Sequence, residues 1–199
     1  MRAVLVCLFL ALLAACAAAP SAHAPLDPYA ALLADLRQGG YVLYLRHAET
    51  ETALESEVRD LRDCRWQRNL NQYGRDQATE IGARFRELGI AFAQVEASPF
   101  CRTRETAEIV FGHAPLLNYA LYYHATQTLP AIEATNARLK ARLALRPARG
   151  NLALVGHAPT MREAAKVELP EGHGALVKPN GDGTFRVVAR VTGKGISPQ

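Results

Sequence analysis

Gly40-Tyr41-Val42-Leu43-Tyr44-Leu45-Arg46-His47 reads as a strand that ends abruptly on two polar residues. The apolar run 41–45 is β-prone and bounded by Gly39-Gly40, which predicts a strand buried on both faces. The same grammar recurs far downstream. Asn151-Leu152-Ala153-Leu154-Val155 is a second apolar strand, and Gly156-His157 follows it. Ala93 to Ala97 predicts a further short strand, closed by the turn Ser98-Pro99.

Helical patterns fill the gaps between these strands. Asp27 to Arg37 carries Leu32, Leu33 and Leu36 at helical spacing and stops at Gly39-Gly40. Asn71 caps a predicted helix that runs to about Leu88, with Ile81, Phe85 and Leu88 on one face. Arg102 to Phe111, Leu129 to Leu145 and Pro159 to Lys166 are predicted helices as well. Residues 48–70 are polar and irregular, a long loop of the kind that often carries function. Ala175 to Lys178 and Thr184 to Val191 predict a terminal hairpin around Asn180-Gly181-Asp182-Gly183. Strand and helix alternate, which argues an α/β fold with a mainly parallel central sheet.

The chain has 199 residues, 49% of them hydrophobic and 21% charged, as expected of one globular domain with a real core. Net charge is +4. The arginine-rich stretches, 59–75 and 138–149, interleave with acids and apolar residues and read as solvated helix faces. No aromatic-interleaved basic motif points to nucleic acid, whereas a mild positive balance suits a small anionic substrate. No oligomeric state follows from these residues.

The N-terminus reads as a targeting signal. Met1-Arg2 gives a positive start, and Ala3 to Ala15 is an almost unbroken apolar run. That run falls short of the roughly 20 residues a spanning helix needs but fits a signal-peptide core. Leu13-Ala14-Ala15-Cys16 resembles a bacterial lipobox. Residues 1–15 are then a removed signal, Cys16 a lipidated mature N-terminus, 16–28 a tether rich in Ala and Pro, and 29–199 the folded domain. The expected location is the cell envelope, facing the periplasm, with membrane contact only through the lipid on Cys16. Cleavage near Ala22-His23-Ala24 is the alternative and gives a soluble periplasmic protein. Outside the signal and lipobox two cysteines remain, Cys64 and Cys101. In an oxidising compartment they are candidates for a disulfide, worth about 4 kcal/mol in the chain-entropy model, against the alternative of two buried thiols.

In parallel sheets, sites form at the carboxyl ends of strands. That rule groups Arg46-His47, the segment Ser98 to Arg102 and Gly156-His157. Arg102 falls near a helix N-terminus, where free amides and the helix dipole favour anions. Guanidinium forks match phosphate oxygens bidentately, and a neutral imidazole can attack phosphorus. Arg46 and Arg102 disfavour a further positive charge and so help to keep His47 neutral. His23, His113 and His173 are read as incidental.

These residues also carry a resemblance. Leu45-Arg46-His47-Ala48 is similar to the Arg-His-Gly motif of the histidine phosphatase superfamily, the phosphoglycerate mutase-like fold. Asn69-Leu70-Asn71-Gln72-Tyr73-Gly74 resembles its Leu-Thr-x-x-Gly helix start, with Asn71 in the Thr position and so a candidate for substrate binding. Ser98-Pro99 to Thr106-Ala107 resembles its Ser-Pro-x-x-Arg-x-x-x-Thr-Ala segment, and Val155-Gly156-His157 its second histidine. Together the motifs span roughly residues 40–190.

The resemblance implies a three-layer αβα sandwich and a metal-independent, cofactor-free phosphatase acting through a phosphohistidine on His47. Arg46, Arg102 and His157 would hold the phosphoryl oxygens. A short exported chain of this kind resembles the lipopolysaccharide core heptose phosphatases. Ala48 departs from the usual glycine, and no residue stands out as the general acid. Glu49, Glu51, His124 and Glu133 are candidates. That gap motivates an alternative, a phospho-ligand-binding protein with little or no turnover. A metallohydrolase built on His47 and His157 is a third reading.

Overall fold

The computed structural model describes residues 27–52, 60–123 and 127–199. The signal stretch, Cys16, most of the tether and His124 lie outside them. In chain order the elements are α1 (Pro28–Gln38), β1 (Val42–Arg46), α2 (Gln72–Glu87), β2 (Phe92–Ala97), α3 (Cys101–Phe111) and β3 (Leu116–Leu117). They continue with α4 (Leu129–Ala144), β4 (Asn151–Gly156), α5 (Ala158–Ala165), β5 (Gly174–Pro179), β6 (Phe185–Thr192) and β7 (Gly195–Pro198). Local chemistry sets the boundaries. Asp27 caps α1 by accepting from the Tyr29 N–H, and Pro28 sits in the first turn, where its missing N–H costs nothing. These two residues, the last of the tether as read from sequence, thus already belong to the fold. Asn71 caps α2 by accepting from the Gly74 N–H at 2.7 Å. Gly112, at φ 80°, ends α3 in the left-handed region.

The strands form one sheet in the order β3-β2-β4-β1-β5-β6-β7. β3, β2, β4 and β1 run parallel. β5, β6 and β7 add antiparallel, which makes the sheet mixed. Side chains of β1 alternate between two cores. Leu43 and Leu45 join Leu36 of α1, Ile81 and Phe85 of α2 and Val110 of α3. Val42 and Tyr44 join Leu139 and Leu143 of α4 and Met161 of α5. One strand therefore cements both helical layers, which is why its sequence is apolar without alternation. β3 and β7 are too short, and β7 too rich in Gly, Ser and Pro, to show a strand pattern in sequence. Among the described residues no helix is long and apolar enough to cross a membrane.

Two long-range ties fix the frame. Asn151, at the start of β4, donates Nδ2 to the carbonyls of Leu36 (2.7 Å) and Ala91 (3.0 Å) and accepts from the Tyr41 N–H (3.1 Å). It closes the sheet edge remote from the strand carboxyl ends. The second tie is a disulfide between Cys64 and Cys101, which joins the long loop to the first residue of α3 across a separation of 37 residues. Beside it the Gln67 Oε1 accepts from the Cys101 N–H at 2.8 Å. A closed loop of this length stabilises the fold by about 4 kcal/mol through the unfolded chain. Reduction, or Cys64→Ala with Cys101→Ala, should lower the unfolding free energy in urea by roughly that amount. A loss below about 1 kcal/mol would show that the cross-link constrains nothing in the unfolded ensemble.

Candidate active site

Parallel register brings the strand ends together. Arg46 of β1 pairs with Gly156 of β4, and Ala97 of β2 with Val155. The residues that follow, His47, His157 and Ser98, therefore emerge at one edge. The backbone N–H of His47 donates to the Gly156 carbonyl at 3.0 Å, and that of Ser98 to the Val155 carbonyl at 2.9 Å. The two imidazole centroids stand 5.4 Å apart, close to the spacing of neighbouring strands.

His47 is buried. Its Nδ1 lies 2.9 Å from the Ala48 carbonyl, which can only accept. The proton thus sits on Nδ1, and the lone pair of Nε2 is left for chemistry. Burial pushes the imidazole well below its usual value of 6.5, and the Arg102, Arg46 and Arg68 guanidinium groups push further the same way. The Ala48 N–H donates to the Thr106 Oγ1 at 3.0 Å, which ties this turn to α3. Ala48 is absent from the positive-φ residues, so the glycine usual at this position is not needed for backbone freedom.

His157 immediately precedes α5, with its ring Nε2 3.0 Å from Ser98 Oγ. Its Nδ1 is buried without a partner among the described residues. Burial, then Arg102, then His47 lower its protonation tendency well below the usual range. Tyr44 holds its backbone from within the sheet: the hydroxyl donates to the His157 carbonyl (2.9 Å) and accepts from the His157 N–H (3.0 Å). Burial drives this phenol well above its usual pKa, so it stays a donor. A Cβ on Gly156 would overlap that hydroxyl.

Arg102 is fully buried, its guanidinium 4.8 Å from the Phe100 centroid and 5.3 Å from that of Tyr123. The same two rings flank His157 at 5.2 and 5.1 Å. Arg46 donates Nη1 to the Leu169 carbonyl and Nη2 to Glu171 Oε1, each at 3.0 Å, while its Nε is buried and unpartnered among the described residues. The polar atoms left without a partner among the described residues, His157 Nδ1 and Arg46 Nε, belong to residues beside His47. An arrangement of this kind can bind a tetrahedral oxyanion and present a neutral imidazole to it.

The structure thus assembles His47, His157, Arg46 and Arg102. Asn71, expected at the substrate, is engaged elsewhere: besides capping α2 it donates Nδ2 to Glu49 Oε1 (3.1 Å) and to the Thr50 carbonyl (3.3 Å). Of the general-acid candidates, Glu49 is held by that bond, Glu51 and Glu133 are exposed, and His124 lies outside the described residues. The carboxylate that does reach the cluster is Glu171, whose Oε1 also takes Arg68 Nη2 at 3.3 Å. Sequence reasoning passed over Glu171, Arg68 and Tyr44. A tyrosine inside a buried strand signals a hydroxyl that must find a partner, and that cue was available. Among the described residues no group of three or more His, Cys, Asp or Glu could hold a metal ion.

Neutral buried histidines fix a pH dependence. Below pH 6.5 the unfolded chain takes up protons that the folded chain does not. Stability therefore falls as pH drops from there, by up to about 1.4 kcal/mol per pH unit for each histidine, until the depressed folded value is reached. Between pH 6.5 and about 5, His157→Asn should flatten the slope of Tm against pH, and an unchanged slope would contradict a neutral His157.

Residues 42–121 match the model of the histidine phosphatase superfamily, branch 1. No curated protein matches the chain significantly in sequence. Solved structures share the fold. The protein histidine phosphatase SixA, complexed with tungstate, superposes with a TM-score of 0.58 at 15% identity, over 77% of this chain and 97% of that one. A phosphoserine phosphatase variant from Entamoeba histolytica, in complex with phosphoserine, gives 0.57 at 14% identity, over 77% and 98%. The alpha-ribazole phosphatase from Shigella flexneri gives 0.57 at 15% identity, over 74% and 94%. Residues 42–121 thus resemble that family in sequence, and the fold shared with these structures extends over about three quarters of the chain.

Proposed function

We propose that this chain is an exported phosphatase that hydrolyses a phosphomonoester or related phosphorylated substrate through a phosphohistidine on His47. The observation that carries this reading is the state of His47. Its imidazole is buried and uncharged, with Nδ1–H turned to the Ala48 carbonyl and the Nε2 lone pair left among guanidinium groups. Nε2 attacks phosphorus, the bond to the leaving group breaks, and the leaving group departs with the electron pair and takes up a proton. Water then attacks the phosphohistidine, which releases phosphate and restores the imidazole. Arg46, Arg102 and His157 hold the equatorial oxygens and offset the charge of the transition state. This sequence uses no metal and no cofactor. Phosphatases of the same fold that bind phosphoserine or tungstate support a small phosphorylated substrate.

A second reading, a phospho-ligand-binding protein without turnover, draws on the lack of a placed general acid among the described residues. Glu49 is occupied by Asn71, and Glu51 and Glu133 face solvent. A leaving group that needs little protonation, such as a phosphoramidate nitrogen or a phenolate, reconciles that absence with catalysis.

Steady phosphate release from p-nitrophenyl phosphate, with an acid-labile, base-stable phosphoenzyme trapped on quenching, is the expected result. His47→Ala should abolish both, and Arg102→Ala should lower kcat/KM by about a hundredfold or more. Retained turnover in His47→Ala would sink the mechanism. Phosphate binding without release at any pH would favour the second reading.

Export rests on the sequence of residues 1–28 and agrees with the Cys64–Cys101 disulfide. In a bacterial host the full chain should incorporate labelled palmitate and sediment with membranes. Cys16→Ala should end both, and equal labelling of that variant would refute a lipid on Cys16.

A further inference from the structure

Ser98 and His157 meet in the interior at the carboxyl ends of β2 and β4. Both are buried. The backbone of Ser98 is fixed on each side: its N–H donates to the Val155 carbonyl at 2.9 Å, and its carbonyl accepts from Thr103 Oγ1 at 2.8 Å. The backbone of His157 is fixed by the Tyr44 hydroxyl. With both main chains held, the ring Nε2 of His157 stands 3.0 Å from Ser98 Oγ. The serine hydroxyl makes no other hydrogen bond among the described residues.

A neutral imidazole carries one proton, and burial beside Arg102 keeps His157 neutral. The contact with Ser98 allows two arrangements. In the first, Nε2–H donates to Ser98 Oγ. The serine hydrogen then lacks an acceptor, and the Nδ1 lone pair lacks a donor, among the described residues. Two buried polar groups stand unmatched. In the second, the serine O–H donates to Nε2, and only the Nδ1–H stands unmatched. Unmatched buried groups are costly, so the second arrangement is the favoured one. The group it leaves over is a donor, which an anion can match.

We propose that Ser98 is a positioning residue: its hydroxyl fixes the proton of His157 on Nδ1 and thereby makes that ring a hydrogen-bond donor to the phosphoryl group. The opposite tautomer would present a lone pair, which repels an oxyanion. Both imidazoles then carry the proton on Nδ1, to different ends. In His47 the Ala48 carbonyl takes the Nδ1–H and leaves Nε2 to attack, whereas in His157 Ser98 takes Nε2 and leaves the Nδ1–H to bind. The identity of the anion rests on the phosphatase reading above, and the position of the proton does not.

Nitrogen NMR of the unaltered chain, labelled at its histidine ring nitrogens, tests the proton directly, because protonated and bare ring nitrogens resonate far apart. His157 is assigned as the ring missing from the His157→Asn spectrum. It should show a protonated Nδ1 and a bare Nε2, and inorganic phosphate should perturb Nδ1 the more. A protonated Nε2 overturns the proposal, and this measurement needs no change at position 98, so it stands even if a variant misfolds. In Ser98→Ala the proton should move at least partly to Nε2. The dissociation constant of inorganic phosphate, measured by calorimetry, should rise about tenfold or more, as for the loss of one hydrogen bond to a charged group. Ser98→Cys, a weaker donor, should keep part of both properties. An unmoved proton in folded Ser98→Ala overturns the proposal, and so does an unchanged phosphate affinity once the proton has moved. Turnover of p-nitrophenyl phosphate by the unaltered protein is followed in parallel. Turnover with a protonated Nε2 defeats this proposal alone. A protonated Nδ1 that phosphate perturbs, without turnover, supports it while defeating the phosphatase reading.

Discussion

Crowded positive charge around two imidazoles is the condition from which the rest of the site follows. Arg46, Arg68 and Arg102 all act on His47 and His157, and burial keeps water from screening them. Protonating either ring there would add a further buried cation, so both stay neutral. Neutrality is what leaves a lone pair on His47. Among the described residues Glu171 supplies counter-charge to both Arg46 and Arg68, and Arg102 lies against aromatic rings. Such a cluster suits an anion, and the buried Arg46 Nε and His157 Nδ1 lack partners among the described residues.

Crowding of this kind needs a stiff frame, because like charges push apart. The frame is layered. The β1–β4 register sets the distance between the imidazoles, and the Tyr44 hydroxyl fixes the turn that carries His157. Thr106 links the His47 turn to α3, with its hydroxyl on the Arg102 carbonyl at 2.7 Å. The disulfide and Gln67 hold the loop bearing Arg68 against the same helix start. Each cation thus arrives on a different element, and each element is tied to a neighbour by a polar contact as well as by apolar packing.

How much of this could be read from the chain depends on the range of the forces involved. β1, β2 and β4 announce themselves because a strand buried on both faces needs an unbroken apolar run. Asn71, Gly112 and the Gly39-Gly40 pair mark helix ends through local chemistry. Arg46, His47, Arg102 and His157 follow strand ends, so the rule for parallel sheets gathers them. Glu171 and Arg68 obey no such rule. Each sits in an irregular segment, and their meeting with Arg46 depends on how two loops fold over the sheet edge. Asn71 shows the converse: a residue that matches a motif position has both ends of its side chain engaged by the local backbone and by Glu49. The direction of the last three strands was likewise hidden, because a hairpin reads the same whether it stands alone or extends the sheet beside β1.

The placement of β1 between β4 and β5 governs the order in which the molecule can come into being. Tyr41 and Asn151, which meet at that seam, are 110 residues apart in sequence. During synthesis both edges of an apolar strand stay open until the last quarter of the chain has emerged. Long-range closure of this sort slows folding and leaves adhesive edges exposed in the meantime. A chain cut short before β4 contains His47 but neither His157 nor the strand that positions it. The convergence of His47 and His157 is therefore among the last features the fold acquires.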